Sequence, residues 1–301
     1  MPMNVKLKLL VSVLLALPTV SMADQAADLL AKMRGAVHTL SYQGTLVYAR
    51  GNELSTYQIR HVLEGGAEKD SVIRLTQGAQ GTNAPAEESF SLAKFEQVQP
   101  QMEQVYALDV GGEESVAGQT CRIVVARPRD RMRYLQRYCI DPNSGMLLKY
   151  ALVDRSHQSV EQLMFTALTI NPPSEAVVAP AMAAPPPSVA VKAEALPATV
   201  KNDAEWSFSA LPMGFQQTRS LEQAGAAGQA AVRQMILSDG MTSVSVFIAR
   251  PDSPGVPEAL SLSAGAMNIF TTEVDGHKVT LVGEVPVATL ESISKGLRHA
   301  R

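Results

Sequence analysis

The hydrophobic and polar positions change period several times along the chain, and each change marks an element. Lys6 and Lys8 supply a positive start, Leu7 to Leu17 supply a run of about ten mostly apolar residues, and Ser21-Met22-Ala23 follows with small side chains at the positions a signal peptidase reads. This predicts an export leader over residues 1–23 and a mature chain starting at Asp24; a membrane anchor would need about twenty apolar residues. Ala26, Leu29, Leu30, Met33, Val37 and Leu40 then recur at helical spacing, with Asp28, Lys32 and Arg34 on the polar side. From Tyr42 the period shortens to two. Tyr42, Gly44, Leu46 and Tyr48 share one face of a strand, and after Gly51-Asn52 so do Tyr57, Ile59, His61 and Leu63.

Further strands are predicted at Ser71–Leu75, Gln104–Val110, Gln119–Ala126, Arg133–Ile140, Met146–Val153 and Val160–Ile170. Asp141-Pro142-Asn143-Ser144-Gly145 and Asp154-Arg155-Ser156-His157-Gln158 punctuate them as turns, and Gly78 to Glu88 reads as a polar loop. One helix followed by meandering strands implies a strongly curved antiparallel sheet wrapped around the helix. Residues 171–203 hold seven prolines among small residues and no period, the texture of a linker. Residues 204–301 regain structure: Ala230–Leu237 pairs with Ser243–Ala249 across Ser238-Asp239-Gly240, and Met267–Val274 with Lys278–Glu284 across Asp275-Gly276. Pro286 can begin a last helix whose inner face is Leu290, Ile293 and Leu297. The chain is therefore mainly β with flanking helices, an α+β protein with a first domain over 24–170 and a smaller second one over 204–301.

Composition narrows the class. The chain carries 26 basic and 29 acidic residues; the leader takes two lysines and no acid, leaving 24 against 29. That balance gives no general attraction to nucleic acid or anionic membrane. Arg127, Arg129, Arg131, Arg133 and Arg137 fall close together, which leaves a local basic surface open. The two cysteines lie in the strands on either side of Pro128-Arg129-Asp130-Arg131. A hairpin centred on Asp130 sets Cys121 opposite Cys139; one centred between Asp130 and Arg131 sets Cys121 opposite Ile140 and puts the cysteines on opposite faces. Facing cysteines in an oxidising compartment bond, so a Cys121–Cys139 disulfide is expected, with buried thiols as the alternative.

Catalytic patterns are missing. The sequence has no glycine-rich phosphate loop, no Gly-x-Ser-x-Gly elbow and no His-Glu-x-x-His motif, and its five histidines are widely spaced. Asp141 and Asp154 stand where turn-capping residues stand. No enzyme activity, cofactor or metal is expected. All seven tyrosines precede the linker. On a curved sheet such residues either line a partly apolar cavity or serve as core aromatics. Leu46, Tyr48, Tyr57 and Ile59 are the candidate lining.

In the second domain Trp206-Ser207-Phe208, Leu211-Pro212-Met213-Gly214-Phe215, Ser238-Asp239-Gly240, Gly265-Ala266-Met267-Asn268 and Val279 to Pro286 occur in the order and spacing of the MucB/RseB family of periplasmic stress-response regulators, which this chain resembles. Tyr42-Gln43-Gly44-Thr45, Val116 to Cys121 and Val160 to Phe165 extend the resemblance to the first domain, and the stretch from about Ser71 to Tyr106 departs from it by being short. The resemblance implies an incomplete β-barrel of lipoprotein-carrier type with a hydrophobic cavity, followed by the smaller α+β domain. It also implies a soluble periplasmic regulator that binds the periplasmic domain of a transmembrane anti-sigma factor, shields it from proteolysis and releases it on sensing lipid or lipopolysaccharide. Homo-oligomerisation is left open, and a periplasmic lipid or lipoprotein carrier without a regulatory partner is the alternative. Within the motifs Trp206, Pro212, Gly214, Phe215, Gly283 and Pro286 are assigned structural roles, Pro212 and Gly214 in a turn, Gly283 and Pro286 before the last helix.

Overall fold

The computed structural model describes residues 22–64, 67–76, 103–171, 205–223, 232–249 and 260–300. The leader to Ser21, the 78–88 loop and all but the first residue of the 171–203 linker lie outside them. No described helix is long and apolar enough to cross a membrane.

The opening helix, α1, runs Met22–Thr39 and buries Ala26, Leu30, Met33, Ala36 and Val37, the stripe its sequence spacing predicts. Eight strands follow: β1 (Tyr42–Arg50), β2 (Glu53–Glu64), β3 (Ala67–Arg74), β4 (Tyr106–Val116), β5 (Gln119–Pro128), β6 (Leu135–Ile140), β7 (Leu147–Val153) and β8 (Ser159–Ile170). They form one antiparallel sheet in the order β3-β2-β1-β8-β7-β6-β5-β4. Strands consecutive in sequence thus end up as opposite edges, β3 and β4, which are not paired with each other; the sheet is a barrel left open along that seam. Alternation sends Leu46, Tyr57, Ile59, Tyr138, Tyr150, Leu163 and Phe165 into one core with α1.

The second unit is a six-stranded antiparallel sheet built from β10 (Gln216–Gln223), β11 (Val232–Ser238), β12 (Ser243–Ala249), β13 (Leu260–Ala264), β14 (Met267–Val274) and β15 (His277–Gly283), in the order β10-β11-β12-β15-β14-β13. Helix α2 (Val287–Gly296) starts after Pro286 and packs Leu290 and Ile293 onto Met235, Leu237, Val246 and Leu281. A two-stranded ribbon, β9 (Trp206–Phe208) with β16 (Leu297–His299), ties the first described residues of this unit to its last.

One expectation about register is corrected. Arg122 pairs with Ile140 and Ile123 with Cys139, which centres the β5–β6 hairpin on Arg131, not on Asp130 or between Asp130 and Arg131. The reason lies in residues 129–134, which form an irregular loop: the Asp130 carboxylate accepts from the Met132 amide at 3.0 Å and pairs with Arg133. Cys121 and Cys139 become diagonal neighbours on one face instead of facing partners. Their Cα atoms are 5.3 Å apart and the sulfurs are bonded.

Candidate functional site

The 129–134 loop is where the two units meet. Three consecutive residues each reach the second unit. The Met132 carbonyl accepts from Thr289 Oγ1 in the first turn of α2 at 2.6 Å, and the Tyr134 hydroxyl accepts from Asn268 Nδ2 at 3.0 Å. Between them Arg133 donates through Nε to Asp239 Oδ2, through Nη2 to the Met213 carbonyl at 2.5 Å and through Nη1 to Asp130 at 2.5 Å. Its guanidinium lies 4.8 Å from the centroid of the Phe215 ring and 5.8 Å from that of Tyr106. The side chains of Arg133 and Asp239 are both fully buried.

A buried ion pair holds only when its remaining hydrogen-bonding capacity is used, because desolvating each charge costs several kcal/mol. Here it is used. The other oxygen of Asp239 accepts the amides of Met241 and Thr242, each at 2.9 Å, so the β11–β12 turn fixes the carboxylate. Burial alone would lower the Arg133 pKa; the Asp239 charge and hydrogen bond outweigh it and hold the guanidinium above its ordinary value. From Asp239 a polar chain runs back under the first sheet: Tyr106 donates to Asp239 at 3.5 Å, Gln136 Nε2 donates to Tyr106 at 3.5 Å, and Gln136 Oε1 accepts from Tyr138 and, at 3.2 Å, from Tyr150. Burial, then the charge of Asp239, raises the Tyr106 pKa; burial, then the neighbouring Tyr138, raises that of Tyr150.

Two glycines let the units close on each other. Gly214, in the Pro212–Phe215 turn, has φ +85, and a Cβ there would sit 2.5 Å from Val105. Gly265, in the β13–β14 turn, has φ +61, and its Cβ would meet Arg50 at 2.3 Å and the Val160 carbonyl at 2.9 Å. The adjacent Ala266 is wholly buried and belongs to the core of the first unit.

The residues singled out in the sequence are distributed as follows. Leu46, Tyr48, Tyr57 and Ile59 come together, all at most 8% exposed, in the core shared with α1. Asp141 and Asp154 cap turns: Asp141 accepts from the Asn143 amide at 2.9 Å, and Asp154 from the amides of Ser156 and Gln158 at 2.9 Å. Trp206 and Phe215 are core residues of the second unit, Gly283 lies 2.8 Å, at its Cβ position, from the Ser243 carbonyl, and Pro286 is the α2 N-cap. The arginine group does not form one basic surface, since Arg133 is turned inside. Asp239 was marked in the sequence only as part of a turn; its pairing with Arg133 spans 106 residues and no local spacing signals it. Among the described residues no cluster of His, Cys, Asp or Glu could hold a metal ion.

An open half-barrel locked to a smaller α+β unit through a buried ion pair defines a two-domain binding protein. Residues 25–83 and 76–188 match the family model of the MucB/RseB N-terminal domain and residues 200–298 that of the MucB/RseB C-terminal domain, so the chain belongs to the MucB/RseB family. It is 30% identical over 320 residues to the sigma factor AlgU regulatory protein MucB of Pseudomonas aeruginosa, across 97% of this chain and 96% of that protein. It is 25% identical over 188 residues to the sigma-E factor regulatory protein RseB of Escherichia coli K12, across 62% of this chain and 57% of that protein. Its fold is similar to MucB in the Pseudomonas aeruginosa MucA/MucB complex, with a TM-score of 0.69 and 25% identity over 92% of this chain and 99% of that one. A structure of MucB in complex with MucA(peri) gives a TM-score of 0.67 over the same shares.

Proposed function

We propose that this protein is a periplasmic regulator of an envelope-stress sigma factor. It binds the periplasmic region of a transmembrane anti-sigma factor and protects that region from proteolysis. The sigma factor then stays sequestered until lipid or lipopolysaccharide releases the anti-sigma factor. The observation that carries the reading is likeness over nearly the whole chain, in sequence and in fold, to MucB, a protein whose solved structures include a complex with MucA(peri).

The buried junction supports a single two-domain receptor rather than two tethered modules: separating the units would strip Arg133 and Asp239 of each other, part Asn268 from the Tyr134 hydroxyl and take the Met132 carbonyl from the Thr289 hydroxyl. The test is a titration of the purified mature chain with the periplasmic peptide of an anti-sigma factor, followed by protease challenge of that peptide. Saturable binding and slowed cleavage are expected. A folded, monodisperse chain that neither binds the peptide nor slows its cleavage would overturn the reading.

A further inference from the structure

On β5 to β8 the side chains that alternate with the core residues line a groove of about 550 Å³. The register sets them in rungs across the strands. Val125, Arg137, Ala151 and Gln162 form the middle rung. Ile123, Cys139 and Lys149 form the rung on one side, and Leu135, Val153 and Ser159 the rung on the other. The β4 edge contributes Gly111 and Gly112 at a register shift, where missing side chains keep that wall low. The floor is apolar and its small residue, Ala151, gives it depth.

The charge of this groove is lopsided. Arg127, Arg137 and Lys149 line it against one carboxylate, Glu114, on a chain whose formal net charge is −3. Glu114 is taken by Lys149 at 2.6 Å, and Arg127 stands 3.9 Å from Asp109 with both side chains more than half exposed. Arg137, in the centre of the middle rung, is exposed and has no hydrogen-bond or ion-pair partner for its side chain among the described residues. A volume of several hundred Å³, an apolar floor and a few convergent polar groups are the marks of a small-ligand site.

We infer that this groove, on the face of the sheet opposite the α1 core, binds a single-chain anionic amphiphile, with the acyl chain along Val125, Ala151, Leu135 and Val153 and the anionic head on the Arg137 guanidinium. A guanidinium takes phosphate or carboxylate through two parallel hydrogen bonds, which makes Arg137 the residue that selects the headgroup. The inference rests on the proposed lipid response for its use in regulation. It differs from the sequence expectation in place, since Leu46, Tyr48, Tyr57 and Ile59 belong to the opposite face, in the core with α1.

The experiment titrates the mature full-length chain with dodecyl phosphate below its micelle concentration, with dodecyl maltoside and inorganic phosphate as controls for tail and head alone. Saturable binding of dodecyl phosphate at one site is expected, weakened about tenfold by Arg137→Gln and by higher salt, as for loss of one charge-assisted pair. Ala151→Leu, which fills the floor, should weaken it as well; if that variant misfolds, the exposed Arg137→Gln decides alone. Equal affinity in Arg137→Gln, or dodecyl maltoside binding as tightly as dodecyl phosphate, overturns the inference. So does an acidic peptide that binds with Arg137 dependence where dodecyl phosphate does not, since it assigns the groove to a protein segment. No anti-sigma peptide enters this titration, so failure here and failure of the regulator reading are separate results.

Discussion

Arg133 and Arg137 are near neighbours in sequence, one in the loop before β6 and one within it, and meet opposite fates. Arg133 is withdrawn from water, with donors committed to Asp239, Asp130 and the Met213 carbonyl. Arg137 lies exposed on a sheet face with apolar neighbours and no counter-ion among the described residues. The difference arises because residues 129–134 are loop, free to turn a side chain towards the second unit, whereas the first half of β6 alternates and sends Gln136 and Tyr138 inward and Arg137 outward. A satisfied buried charge serves the architecture. An unsatisfied exposed one, set among apolar groups, is a place to receive something.

The hardest way to break this contrast is at the buried end. Asp239→Ala leaves the Arg133 guanidinium desolvated without its partner and should cost about 3–5 kcal/mol in urea unfolding. Replacing both partners by apolar residues, Arg133→Met with Asp239→Leu, removes the unpaired charge and should recover part of that loss, the Met241 and Thr242 amides still lacking their acceptor. A cost under about 1 kcal/mol for Asp239→Ala would mean that the junction does not hold the units together.

The disulfide comes next. Cys121→Ser with Cys139→Ser opens a link across 18 residues and should cost about 2–4 kcal/mol, read as a lower urea midpoint that wild type matches only after reduction. If reduction leaves the wild-type midpoint unchanged, the bridge contributes nothing to the fold.

The tyrosines sharpen the comparison through pH. Burial raises the pKa of Tyr42, Tyr48, Tyr106, Tyr138 and Tyr150 above the ordinary value of 10.0. Below pH 10 these groups are neutral folded or unfolded and add no pH dependence. Above it the unfolded chain ionises while the folded one keeps its protons, so stability falls as pH rises. Phenolate absorbance should therefore appear in one cooperative step with unfolding; gradual ionisation near pH 10 with the fold intact would show the polar chain behind Asp239 to be wet.

The smallest effect on stability is expected at Arg137. Arg137→Gln should stay within about 0.5 kcal/mol of wild type, as exposed substitutions do, while altering binding of an anionic amphiphile. A large stability change there would make Arg137 a structural residue like Arg133.

What the sequence disclosed follows the range of the forces involved. Long segments with a clean period were legible: the apolar stripe of α1, the alternation of β1 and β2, and the limits of β12 (Ser243–Ala249) and β14 (Met267–Val274). The three-residue strands β9 and β16 carry too few positions for any period, and β13 is a five-residue edge strand whose brief Leu-Ser-Leu alternation is too short to mark an element and buries no face. The centre of the β5–β6 hairpin escaped because an irregular loop, held locally by Asp130 and across the junction by Met132 and Arg133, stands where a tight turn was expected. The Arg133–Asp239 pair was illegible because it spans 106 residues. The groove was half visible: Arg127 and Arg137 stood out as part of a basic run, but only register brings Ala151 and Gln162 beside Arg137.

The β9–β16 ribbon has a mechanical consequence. Trp206 pairs with His299 and Phe208 with Leu297, so the residue nearest the first domain's side of the chain lies against the residue nearest the C-terminus. Tension entering at Glu205 and leaving at Ala300 would meet the Ala300 amide on the Glu205 carbonyl first, at 2.7 Å, and then the three rungs one after another. Antiparallel strands pulled from adjacent ends unzip rather than shear. Under load this unit would therefore yield as a fastener opened from its tab, with the six-stranded sheet behind it still whole.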